Sequence, residues 1–253
     1  MFNPVNLVWW LSIIAESALL ATLFRRGLFR VYRFFTAYIA ADVCVSLAMM
    51  WLTPDWQSKA YARLWMISEP LLIVLQVAFA IELYALISNH YRNFERVRPR
   101  LFWSCMLAAL GISLLVLMVD MPAHWTSRVF QGIILAKRVA TFALAAFVVV
   151  VTIFLRIFRV PMRLNVTRHR RIAAVYFLVN ASLVFAANLA PGVTKPVNLA
   201  LMSLTAGCFV AWAMLLKPEG EAVESPAAPT RAEIEAHLHR GEELGRRIGS
   251  LRP

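Results

Sequence analysis

Apolar positions along the chain gather into seven blocks, roughly 5–24, 34–53, 64–88, 101–120, 131–156, 171–190 and 197–216. Each is about twenty residues long, enough to cross a bilayer as a helix. Within lipid the backbone has no water to bond, so blocks of this kind are helical. The connections between them are short and leave no room for an inserted soluble domain. The pattern predicts an all-α, polytopic transmembrane bundle of seven helices over residues 1–216. After Lys217 the character changes. Residues 218–230 are rich in Ala, Pro and Glu and read as a linker. Residues 231–251 predict a short amphipathic helix, opened by a Thr230/Glu233 capping box. Ile234, Leu238, Leu244, Ile248 and Leu251 fall on one side of it. Gly241, Gly245 and Gly249 weaken it.

The basic residues orient this pattern. Twenty Lys and Arg lie in the first, third and fifth connections and the tail, and four (Lys59, Arg63, Arg128 and Lys195) in the alternate connections. The positive-inside rule then predicts an outer N-terminus and a cytoplasmic C-terminus. Trp9, Trp10, Trp51, Trp56, Trp65 and Trp125 fall at the outer boundary, and Trp103 and Trp212 near the inner one. Indole rings favour such boundaries. The first residues carry no basic run, so the first block is expected to be retained as a helix and not cleaved as a leader.

Composition removes several classes of function. The chain is 60% hydrophobic and 16% charged, outside the range of soluble domains. Its net charge of +12 comes largely from the short loops, so it reports orientation and implies no nucleic-acid partner. The bilayer itself is the expected partner. Cys44, Cys105 and Cys208 lie within apolar blocks and read as small buried residues. His90, His124, His169, His237 and His239 are all placed in loops or tail, so paired haem ligands within the spans are not expected. Neither HExxH, a Cys/His zinc spacing nor GxSxG is present. The seventh block has no Lys for a retinal Schiff base. No catalytic residue, metal or cofactor is therefore predicted.

Six ionisable residues do fall inside the blocks: Glu16, Asp42, Glu69, Glu82, Lys137 and Arg138. Such groups are costly in lipid and face the bundle interior. At 1.5 Å per residue, Glu69 lies roughly 7–8 Å below the outer boundary, and Lys137 and Arg138 roughly 9–11 Å below it. A salt bridge between the third and fifth blocks is expected. Gln76 stands seven residues from Glu69, on the same face. Glu16 and Asp42 both come out near ~16 Å, with Asn180, Thr205 and Cys208 at similar depth and Tyr176 one turn from Asn180. Two close carboxylates of this kind do not both ionise. The binding hypothesis is thus Glu16, Asp42, Glu69, Gln76, Lys137, Arg138 and Asn180, against the simpler reading of polar groups that hold helices together. Glu82 lies near the inner boundary, within reach of the arginines. Gly132, Ala136 and Ala140 form a small-residue ridge suited to close helix packing. The fourth block offers few polar groups and is expected to be the most lipid-exposed.

The stretch Trp65-Met66-Ile67-Ser68-Glu69-Pro70, with Glu82, Tyr84, Tyr91 and the Arg-rich run from Arg25 to Phe35, resembles a family of small bacterial seven-helix integral membrane proteins without an assigned activity. The resemblance covers the first three blocks. It implies a bacterial inner-membrane location and nothing about mechanism.

The expected function is sensory or signal-coupling: a small ligand, lipid or proton is sensed in the bundle, and the cytoplasmic loops and tail helix carry the output. The alternatives are an accessory or scaffold subunit of a larger membrane complex and a proton-coupled carrier or channel. Candidate partner surfaces are the face of the fourth block and the apolar stripe of the tail. The Arg-rich inner loops could also hold anionic lipid.

Overall fold

The computed structural model describes residues 4–52, 58–88, 128–157, 162–189 and 194–221, with positions 103, 107 and 111. The described residues are helical, without a strand. They form α1 (Pro4–Arg25), α2 (Arg33–Leu52), α3 (Lys59–Ser88), α4 (Arg128–Ile157), α5 (Leu164–Leu189) and α6 (Thr194–Leu215), with 3-10 turns at Leu28–Arg30 and Pro218–Glu221. Five of these helices (α1, α2, α3, α4 and α6) are long and apolar enough to cross a membrane. The chain divides into two units, residues 1–221 and 222–253. The second unit, with the expected tail helix and its stripe, lies outside the described residues. So does most of the fourth block. Its three described positions, Trp103, Leu107 and Gly111, are helical and exposed.

Helix boundaries follow local chemistry. α1 stops because Gly27 adopts a left-handed backbone with φ 67°, and its N–H bonds the Phe24 carbonyl. Such a position favours glycine and closes helices. α5 begins at Leu164, seven residues before the block read from hydropathy. The run Arg168-His169-Arg170-Arg171 was expected to be loop. It is helical, because the turn directs Arg171 outward while burying His169 and Arg170. α3 likewise starts early, at Lys59, so Pro70 stands inside the helix. Lacking an N–H, Pro70 leaves the Met66 carbonyl without its helical partner.

Among the described elements, α1 packs on α2 and α6, α2 on α3, α3 on α4 and α5, α4 on α5, and α5 on α6. Side-chain contacts fix the directions. Arg26, just past α1, donates to the carbonyls of Ala213 and Leu216 at the end of α6, so α1 and α6 run parallel. Glu82, late in α3, meets the start of α2. Lys137, early in α4, meets Glu69, early in α3. Thus α3 and α4 also run parallel, and Ser88 and Arg128 stand at opposite ends of the bundle. Arg25, Arg26, Arg30, Arg33, Arg163 and Arg168 gather at one end.

The core is aromatic towards that end: Tyr32, Phe35, Phe79, Phe177, Phe209 and Trp212 are fully buried. Outward positions such as Ile14, Trp51, Ile67, Val74 and Met214 are apolar and exposed, a surface compatible with lipid. Three expectations are corrected. Trp212 is 1% exposed and belongs to the core, not to a boundary belt, because α6 turns it towards Phe35. Cys44 is exposed, on the outer side of α2, whereas Cys208 is buried. Gly132 and Ala136 face outward, and a Cβ on Gly132 would meet nothing within 4 Å. The ridge does not pack against another described helix there.

Candidate functional site

The polar groups separate into a middle cluster and an end cluster, joined by aromatic rings. In the middle cluster the hydroxyls of Tyr38 (α2) and Tyr176 (α5) are 2.7 Å apart. Gln76 Nε2 (α3) donates to the Tyr38 oxygen at 3.1 Å and reaches Tyr176 at 3.5 Å. Asp42, one turn beyond Tyr38, lies within hydrogen-bonding reach of its hydroxyl. The charges of Lys137 and Glu69 act on Asp42, and Asp42 in turn acts on Glu16. Glu16 is 4% exposed, and its Oε2 has no hydrogen-bond partner among the described residues. Glu69 is buried and pairs with Lys137 Nζ at 2.8 Å. That ammonium also lies 6.0 Å from the Trp65 ring centroid. Lys137 is itself 46% exposed, so this ion pair sits at the edge of the cluster.

Of the residues singled out in the sequence, Glu16, Asp42, Glu69 and Lys137 therefore form one electrostatic group. Gln76 joins it through the tyrosines and not through Glu69. Asn180 bonds the Tyr176 carbonyl one turn back, which keeps it on its own helix. Arg138 is partly buried and engaged in the bundle. Tyr38 was not anticipated. The signal was present, since Tyr38 and Asp42 are four residues apart on one helical face.

The end cluster anchors the chain just beyond α6. Glu221 accepts hydrogen bonds from Tyr32 at 2.5 Å and Asn165 at 2.8 Å, with Arg163 at 3.5 Å. Asn165 is fully buried; its Nδ2 donates to the Lys217 carbonyl at 2.6 Å, and its Oδ1 accepts from the Lys217 N–H at 3.2 Å. Gly220 leaves room for that contact, because a Cβ there would collide with the Asn165 side chain. Arg26 and Arg168 take the last carbonyls of α6, the acceptors a helix end leaves open. Pro218–Glu221, read as the start of a linker, is thus a docked 3-10 turn.

Between the clusters stands His169. Among the described residues neither of its ring nitrogens has a hydrogen-bond partner, nor has Trp212 Nε1. The ring is enclosed by Tyr32, Phe35, Phe79 and Trp212 at centroid distances of 4.8, 4.7, 5.2 and 5.7 Å. Edge-to-face contact with Phe35 suits a neutral imidazole. His169 lies before the 171–190 block, and burial pushes its pKa down to about 3. At the same end, burial and the Glu221 carboxylate raise the Tyr32 pKa. The rings carry the structure from one cluster to the other: Tyr176 is 5.9 Å from Trp212, Trp212 is 5.7 Å from His169, and His169 is 4.8 Å from Tyr32.

Glu82 is a separate device. Its two carboxylate oxygens accept the N–H groups of Phe34 and Phe35, each at 3.0 Å. It was expected to reach the arginines; Arg33 is close, but the direct partners are the open amides at the α2 N-terminus. Among the described residues no group of His, Cys, Asp and Glu could hold a metal ion. Comparison of the chain with protein-family models, with characterised proteins and with solved structures returned no match.

Proposed function

We propose that this protein is a seven-helix signal-coupling protein of a bacterial inner membrane, sensing a small ligand, lipid or proton in its polar core and passing the change to its cytoplasmic tail. The observation that carries this reading is the unbroken series Asp42, Tyr38, Tyr176, Trp212, His169, Tyr32 and Glu221, buried from Tyr38 to Tyr32. It begins at the carboxylate-bearing middle cluster and ends at Glu221, just beyond α6.

The directions of α3 and α4 support a seventh crossing. The chain between Ser88 and Arg128 has to connect opposite ends of the bundle, and it contains the apolar block 101–120. The gathering of arginines at one end supports a cytoplasmic placement of that end, with the N-terminus outside.

The middle cluster has the bonding pattern of a two-state element. When Asp42 is a carboxylate, Tyr38 donates to it and Tyr176 donates to Tyr38. When Asp42 carries a proton or its charge is neutralised, Tyr38 is free to donate to Tyr176 instead. A tyrosine hydroxyl supplies one proton and two acceptor sites, so these arrangements exclude each other. Tyr176 packs on Phe209 and Trp212, so a shift of its ring bears on the rings that support Tyr32. Loss of the Tyr32 bond would loosen Glu221 and free the tail. The test is a pair of spin labels, one at Thr230 and one at exposed Arg30, in full-length protein in lipid nanodiscs. Asp42→Asn and Tyr38→Phe are expected to broaden or shift the distance distribution. A distribution unchanged in both variants refutes the reading.

A further inference from the structure

We infer that Glu16 and Asp42 form a shared proton-binding site, so that the ligand sensed in the core is a proton. This deepens the function proposed above and rests on it. The two carboxylates come from packed helices, α1 and α2, and the charge of Asp42 acts on Glu16. Glu16 is 4% exposed, and its Oε2 is buried with no donor within reach among the described residues. A buried carboxylate oxygen left without a donor is costly as an anion and much less so as a neutral carboxylic acid. The surroundings supply little compensation. α2 offers the Tyr38 hydroxyl, α3 offers Glu69, α5 offers the Tyr176 hydroxyl, and α6 offers the Cys208 thiol. The cation acting on Asp42 is Lys137 of α4, and it already holds Glu69 at 2.8 Å. Arg138, also on α4, is engaged in the bundle.

The step balances simply. A proton arriving from water bonds one carboxylate oxygen and removes one negative charge; leaving, it returns that charge to the pair. With Asp42 neutral, Tyr38 no longer has to donate towards it, and the hydroxyl pair can reverse.

The experiment is infrared difference spectroscopy of the full-length protein in neutral-lipid nanodiscs, between mildly acidic and mildly alkaline buffer. The expected result is a carboxylic-acid C=O band that disappears on alkalinisation and shifts in heavy water. It should be lost in Glu16→Gln or in Asp42→Asn and retained in Glu69→Gln, because Glu69 is held by Lys137. Near-native circular dichroism qualifies each variant, and Tyr38→Phe serves as a fourth, expected to shift the pH at which the band is lost. A band absent from the wild type, or one surviving both Glu16→Gln and Asp42→Asn, overturns the inference. So does a band removed at constant pH by sodium or potassium, which would make the site one for a metal cation. The spin-label readout stays independent: a titrating band with an immobile tail sinks the coupling and leaves the proton site standing. A tail that responds to core substitutions without any titrating band does the reverse.

Discussion

At the scale of single residues, what matters is which polar groups have partners. Gly220 has the simplest expectation. Gly220→Ala drives a methyl into Asn165, and overpacking of this kind costs about 1–3 kcal/mol. Thermal unfolding in mild detergent should show that loss, with a more mobile spin label at Thr230. His169 has a pH signature. Its pKa is about 3 when folded and near 6.5 when exposed, so the unfolded chain takes up a proton first as pH falls. The stabilisation is therefore complete above ~6.5 and lost progressively towards ~3. His169→Phe should flatten that part of the curve in a melting series; an unchanged acid slope would contradict the burial of His169. Glu69→Gln should cost only about 1 kcal/mol, because Lys137 is nearly half exposed and its lost partner is partly replaced by solvent or headgroups. Much of this scale was legible in the sequence. Glu16, Asp42, Glu69 and Lys137 stood out as charges in apolar blocks. Tyr38 and His169 did not, because a tyrosine is unremarkable near lipid and a histidine between arginines looks solvated.

At the scale of elements, the helix ends are tied across the bundle and not by their own sequence. α2 opens with Arg33-Phe34-Phe35 and has no acidic residue in its first turn. Glu82, from α3, supplies the cap. Glu82→Ala should cost about 1 kcal/mol, in the usual range for a lost cap. It should also speed hydrogen exchange at the Phe34 and Phe35 amides, and unaltered exchange there would contradict the capping role. The end of α6 is held likewise by Arg26, Arg168 and Asn165. Hydropathy located the six described helices and missed these ends. A span is recognised by its greasiness, but α5 extends seven residues past the greasy block because one helical face there carries His169 and Arg170 inward. Arginines read one at a time suggest a loop; read at 3.6 residues per turn, Arg168 and Arg171 share a face while His169 and Arg170 turn inward.

At the scale of the molecule, one bundle holds both the charged core and the docked turn that follows α6. α3 and α4 run parallel, and in the proposed seven-helix topology the chain between them crosses the bundle once more. Accessibility labelling of single cysteines near Arg30 and Arg163 should place both on the cytoplasmic side. Labels appearing on opposite sides would break the topology. The transmission from core to tail was not legible in the sequence, since Tyr32, Asn165 and Glu221 come from three distant stretches that only the fold assembles. The most direct test of that transmission is a double-mutant cycle on full-length protein between Asp42→Asn and Glu221→Gln, read as unfolding free energy in lipid nanodiscs. Distant uncoupled sites add within about 0.3–0.5 kcal/mol. The expected result is a departure from additivity on the order of 1 kcal/mol; effects that simply add would contradict the transmission.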